Sequence, residues 1–148
     1  MSLTAALPHD LEVLADSLSA CADELHARIM RGIRQQQKLA GRDALSQGAA
    51  QALFENEVAL RQQANSLYVD AASHTLSNLG VAQQDLLRLA AQARQAIRQV
   101  RQLKTLVGLS ADLLAVAAAV AAARPEHLAS ALESLKATLA ARQQDNDA

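Results

Sequence analysis

From Leu11 the apolar residues recur at spacings of three and four: Leu11, Leu14, Leu18, Cys21 and Leu25, continued by Ile29 and Ile33. Such a stripe occupies one face of a 3.6-residue helix and has to be covered by neighbouring elements. Pro8 stands where a first helical turn tolerates a missing N–H, and Asp10, Glu12 and Asp16 set negative charge at the positive end of the helix dipole. Arg28, Arg31, Arg34 and Lys38 complement the other end, and Gly41 is a natural stop. The spacing therefore predicts a first helix of about 30 residues, roughly 45 Å long at 1.5 Å per residue.

A second helix is predicted from an N-cap at Asp43 to Gly80, with Leu45, Ala49, Leu53, Leu60, Ala64, Leu67 and Ala71 inside and Phe54, Val58, Tyr68 and Leu76 widening the apolar face. A third runs from Val81 to Val107 over Leu86, Ala90, Ala93, Ile97, Val100 and Leu103. Gly108 then breaks the pattern, Ser110 caps the next helix, and Asp112 lies in its first turn. Arg124-Pro125-Glu126 is a kink or a fresh start, because proline is well tolerated at a first helical position. Leu128, Leu132, Leu135 and Leu139 form the last seam. Short turns favour antiparallel packing of consecutive helices. The predicted fold class is all-α: an antiparallel bundle of about four long amphipathic helices, the last split or kinked at Pro125. One domain is expected over residues 1–142, with a polar tail, Gln143 to Ala148, that frays.

Composition reinforces the helical pattern. Alanine and leucine dominate the 148 residues, and Phe54 and Tyr68 are the only aromatic residues. Two prolines and five glycines leave few breaks. The excess of arginine over lysine, with so much alanine, suggests a bacterial, GC-rich source. A net charge of −1 supplies no overall field toward nucleic acid or anionic lipid. Cys21 has no second cysteine to pair with. Met1 to Asp16 has no basic leader joined to an apolar run, so a signal peptide is not expected and the location expected is cytoplasmic.

Three features bear on function. The eleven residues Leu113 to Ala123 are apolar on every side, so they must be buried in the fold, against another subunit, or in lipid. Leu113, Leu114, Val116 and Val120 are the candidate surface for a protein partner or a second copy of the chain. The run alone is too short to cross a bilayer, which takes about 20 apolar residues. Extending it back to Leu106 gathers in Gly108, Ser110 and Asp112, and a central Asp costs about 2.5–3.5 kcal/mol on insertion scales. A permanent span is disfavoured. The alternative is a membrane-active protein that inserts residues 106–123 after rearrangement, with Asp112 as its membrane and pH switch.

Charge is also segregated. No acid separates Asp85 from Asp112, whereas Arg94, Arg98 and Arg101 lie at i, i+4 and i+7 and form one stripe for an anionic partner or phosphate groups. Glu55, Glu57 and Asp70 are the acids expected to neutralise it. The missing aromatics count against nucleic acid, which uses stacking platforms. Finally, Asp23 with His26 and Asp70 with His74 have metal-ligand spacing. A fold-back around Gly41 would set position 23 level with about 59 and position 26 with about 56, leaving the second pair roughly 15–20 Å away. No metal and no cofactor are expected. Glu55 and Glu57 point to different faces, and no nucleophile motif or phosphate loop is present. The residues favour a non-enzymatic helical module that binds a protein partner or itself.

Overall fold

The computed structural model describes residues 8–39, 47–70, 83–100 and 103–147. Among these are five helices and no strand: α1 (Pro8–Leu39), α2 (Gln47–Asp70), α3 (Gln83–Gln99), α4 (Leu103–Ala121) and α5 (Pro125–Asp147). The fold is all-α. The stop at Gly41, the cap at Asp43, and Leu45, Ala71, His74, Leu76, Gly80 and Arg101 lie outside the described residues.

α1 starts at Pro8 and runs 32 residues. Its predicted seam is inside: Leu11, Leu14, Leu18, Cys21, Leu25 and Ile29 are buried, joined by Ala15 and Ala22. Two alanines widen the stripe enough for α1 to serve two neighbours. On one side lies α2, antiparallel: His26 meets Glu57 and Asp23 meets Arg61, so rising numbers on one helix face falling numbers on the other. The register is within two residues of the one a fold-back around Gly41 implies. On the other side lies α3, and it runs parallel to α1. Cys21 faces Ala90, Glu24 faces Arg94 and Arg98, and Arg28 faces Ile97. Consecutive helices are therefore not always neighbours; α3 packs on α1 rather than beside α2.

The end of α3 has an identifiable partner. Arg28 Nη1 donates to the carbonyl oxygens of Ile97 (2.7 Å) and Arg98 (3.4 Å). The last carbonyls of a helix have no intrahelical donor, and a cation suits the negative end of the dipole. The chain then changes course. Asn56 donates to Ser110 Oγ at 2.8 Å, and Asn56 lies level with the part of α1 that holds Ile97. Thirteen residues from Ile97 to Ser110 would carry a straight helix roughly 20 Å onward. α4 is thus no continuation of the α3 axis; it packs across α2 and pairs with α5.

Two sequence expectations are corrected here. Gly108 does not break the chain, and Ser110 is not an N-cap: both sit inside α4. Ser110 is buried, with its hydroxyl donating to the Val107 carbonyl at 2.9 Å while accepting from Asn56. A serine can return its hydroxyl bond to the preceding turn instead of capping, and apolar residues on both sides of Gly108 carry the helix through it. The boundary lies earlier: α3 ends at Gln99 and α4 begins at Leu103.

α4 and α5 form an antiparallel hairpin. The break at Pro125 expected from sequence is present, and its local geometry is specific. The Ala123 N–H bonds to Val120 O and the Arg124 N–H to Ala119 O, both at 3.0 Å. These nested bonds make a Schellman motif, with Ala123 at φ 55° in the position glycine usually fills. Arg124 O then accepts from the Leu128 N–H at 3.0 Å, so Pro125 is the first residue of α5. α5 extends to Asp147, and the polar segment expected to fray continues the helix, since neither proline nor glycine interrupts it. Buried residues of all five helices form one continuous apolar cluster.

Two substitutions test this account of α4. A Cβ at Gly108 meets no atom within 4 Å, so Gly108→Ala is expected to stabilise by about 0.5–1 kcal/mol through helix propensity. Ala123→Gly removes a left-handed alanine and is expected to stabilise by up to about 1 kcal/mol. Urea unfolding of the two variants and their combination checks both figures. Loss of stability from Gly108→Ala would contradict the continuous α4.

Candidate functional site

Three surfaces combine residues from more than one helix or leave apolar groups uncovered. The first is the charged seam between α1 and α3. Glu24, mostly buried, receives Arg98 Nη2 at 2.6 Å, and Arg94 Nε stands 3.8 Å away. The hydrogen bond from Arg98 holds the Glu24 carboxyl below its ordinary value near 4.5; burial opposes this, and the charges of Arg98, Arg94 and Arg31 assist it. Arg28 is pushed down from the usual guanidinium range by burial and by neighbouring Arg31. Under the same seam, burial pushes the Cys21 thiol up to about 12, with Arg94 acting against and Glu24 with the shift. Cys21 has no exposed surface and donates weakly to Ala90 O at 3.4 Å. It is an inert packing residue in the folded state.

The predicted arginine stripe is thus partly in place: Arg94 and Arg98 share the α1–α3 seam, and Arg101 lies outside the described residues. The acid expected to meet it was misassigned. Glu24 of α1 does so, because α3 lies against α1 and not α2. Glu55 is exposed beside Gln51, and Glu57 is buried and occupied elsewhere.

Glu57 is the centre of a second cluster, between α1 and α2. One carboxylate oxygen faces His26 Nδ1 at 3.0 Å, the other accepts from Arg61 Nε at 2.9 Å, and Arg61 Nη1 reaches Asp23, also at 2.9 Å. The His26 ring packs at a tilt on Phe54, with centroids 6.2 Å apart. Asp23 and His26 therefore engage α2 separately and form no joint ligand pair. Among the described residues no three histidine, cysteine or carboxylate side chains gather as a metal site. On the outer side of α2, Phe54 is half-buried and Val58 is 52% exposed, so the predicted widening of its buried face stops short of Val58.

The third surface is the outside of α4 and its groove with α5. The predicted partner surface is corrected by burial. Leu113, Val116 and Val120 are buried in the core and Leu114 is half-buried, because the large residues of an amphipathically placed helix turn toward the volume they can fill. The face left outside is made of small residues: Ala111, Ala115 and Ala122 are exposed and Ala118 half-buried. With His127, Ser130 and Ser134 of α5, Ala115, Ala118 and Ala122 border a groove of about 510 Å³. Asp112 lies at one end of it, half-buried, accepting from the Thr138 hydroxyl. His127 lies at the other end. The alanine spacing at 111, 115, 118 and 122 is complementary to the leucine and valine spacing, so the sequence carried a signal for this face.

Comparison of the chain with protein families, with curated proteins and with solved structures gives no match. The surfaces have to be judged on their own chemistry.

The Glu24 cluster makes a pH prediction. Its carboxyl is depressed in the folded state, so its stabilising contribution is complete above the unfolded value and is lost as pH falls through the folded one. At neutral pH, Glu24→Gln is expected to lower the melting temperature by roughly 2–4 °C. That difference from wild type should begin to narrow near pH 4.5 and close as pH falls through the lower folded value. A gap that persists unchanged to strong acid would show that Glu24 contributes by packing alone.

Proposed function

We propose that this chain is a non-enzymatic helical-bundle interaction module that associates with a second copy of itself through the outer face of α4 and its groove with α5. One observation carries the proposal: the uncovered face of the most apolar helix bears alanine where a solvated helix ordinarily bears charge. Alanine lets a second helix approach closely, and dispersion contacts accumulate along the whole length of such a pair. A two-fold axis near Ala118, with the α4 helices antiparallel, brings Asp112 of one protomer opposite His127 of its partner. Both ends of the groove are then matched in chemistry, as an isologous interface requires. A bacterial adaptor, chaperone or inhibitor built on such a dimer would need no cofactor, metal or nucleic acid.

Ala115 is exposed, so Ala115→Arg is expected to leave the fold intact by circular dichroism. It should convert the dimer to monomer in sedimentation velocity, while Ala115→Ser retains the dimer. A wild type that is monomeric at its highest soluble concentration overturns self-association.

A second reading has its own observation. α4 spans 19 residues with a mean hydropathy of 1.7, long and apolar enough to cross a membrane, and 44% of that stretch is buried in the bundle. Release of α4 from the bundle into lipid would use the breaks that precede Leu103 and come after Ala121. Under this reading Asp112 opposes insertion at neutral pH, so Asp112→Asn is expected to raise the fraction floating with anionic liposomes near neutrality. An unchanged fraction, in a variant that remains folded, removes it.

A further inference from the structure

Between α1 and α3 lies a groove of about 290 Å³, separate from the α4–α5 face, bordered by Ser17, Ala20, Arg94, Gln95 and Arg98. Its polar side chains are suited to anions: two guanidiniums, one hydroxyl and one carboxamide. The charge around it is unbalanced. Arg31, Arg94 and Arg98 act on a single carboxylate, Glu24, which leaves an excess of two positive charges. The only acid of α3 among the described residues, Asp85, is paired with Arg88.

The arginines along this seam are not equally committed. Arg28 is engaged with backbone carbonyls and Arg98 with Glu24. Arg94 is half-exposed and meets Glu24 only at 3.8 Å through Nε, beyond hydrogen-bond range. Its guanidinium makes no hydrogen bond to a described residue. A planar donor fork held at the rim of a groove, in a locally positive field, suits an oxyanion that accepts two bonds. A carboxylate carries one negative charge, whereas a phosphate monoester carries about −1.5 to −2 at neutral pH and offers three acceptor oxygens. The larger charge fits the local excess better.

We propose that the α1–α3 groove binds a phosphate group, held by Arg94 and Arg98 with Ser17 and Gln95 at its sides, and that Glu24 competes internally for Arg98. The phosphate can belong to a free small molecule or to a lipid headgroup. Glu24 then serves as the built-in counter-ion of the groove, and its neutralisation frees the second guanidinium.

The full-length protein, labelled with nitrogen-15, is titrated with sodium phosphate and with sodium acetate at matched ionic strength. Saturable shifts at Arg94, Gln95 and Arg98 with phosphate but not with acetate are expected. Arg94→Gln should weaken the affinity roughly tenfold or more, and Glu24→Gln should strengthen it several-fold, a gain that a damaged fold cannot produce. Flotation with phosphatidic acid vesicles against phosphatidylcholine vesicles assigns the source. Binding to phosphatidic acid vesicles that Arg94→Gln abolishes, without saturation by inorganic phosphate, places the phosphate on lipid and supports the site. Equal, unsaturable shifts with both salts, together with no vesicle binding, overturn it. So does an affinity indifferent to both Arg94→Gln and Glu24→Gln, and so does saturation by an acidic peptide in place of phosphate.

Discussion

The burial of α1 between α2 and α3 is the interaction on which the rest of the molecule depends. Its seam from Leu11 to Ile29 is almost wholly removed from water, and a buried leucine is worth about 1.5–3 kcal/mol relative to an exposed one. A seam of leucines alone would serve one neighbour. Ala15 and Ala22 extend it around the helix, and that extra width admits α3 as well as α2. The core has almost no aromatic residues with which to span gaps, since Phe54 is half-buried and Tyr68 lies at the surface with its hydroxyl on Asp16. Leucine and alanine must therefore fill the space by close approach of the helices, because protein interiors tolerate few voids.

The polar contacts of α1 arise from the same placement. Residues 23 and 26 face α2, while residues 24 and 28 face α3. Successive residues on a helix are about 100° apart, so adjoining acids on α1 serve opposite flanks. On the α2 side, Glu57 collects His26 and Arg61, and Arg61 passes on to Asp23. Toward α3 a single carboxylate meets a surplus of guanidiniums. One flank closes into a satisfied network, and the other keeps uncompensated positive charge beside a groove. This asymmetry makes the α1–α3 seam the electrostatic feature of the surface.

α4 poses the opposite problem, since it carries hardly any charge. Its large branched residues turn mostly inward, and the face left outside is held by Ala111, Ala115 and Ala118, a sorting by size rather than polarity. The sorting holds across Gly108, and Asn56 fixes the helix against α2 through the buried Ser110 hydroxyl. At the far end the Schellman bonds are strong enough in sum to keep Ala123 left-handed, a conformation that ordinarily favours glycine. The pairing with α5 thus begins in a fixed geometry, and the small-residue groove results from it.

Much of this was legible in the chain itself. The helical class, the start of α1 at Pro8, the seams of α1, α3 and α5, and the new start at Pro125 all derive from the 3.6-residue period and from proline chemistry, which are local. The register of α1 on α2 was also close, because chain continuity around a short turn constrains it. Direction and adjacency of α3 were not legible. Nothing local states that α3 packs parallel to α1, and so nothing local named Glu24 as the partner of Arg94 and Arg98. Gly108 misled for a related reason: glycine is a weak helix former in isolation, but packing of Leu106, Leu109 and Leu113 outweighs its cost of about 1 kcal/mol. The sequence by itself determined which residues seek burial and where helices are free to end. Only the tertiary structure decided which helix covers which, because that choice depends on the summed fit of whole faces and on charges brought together from distant positions.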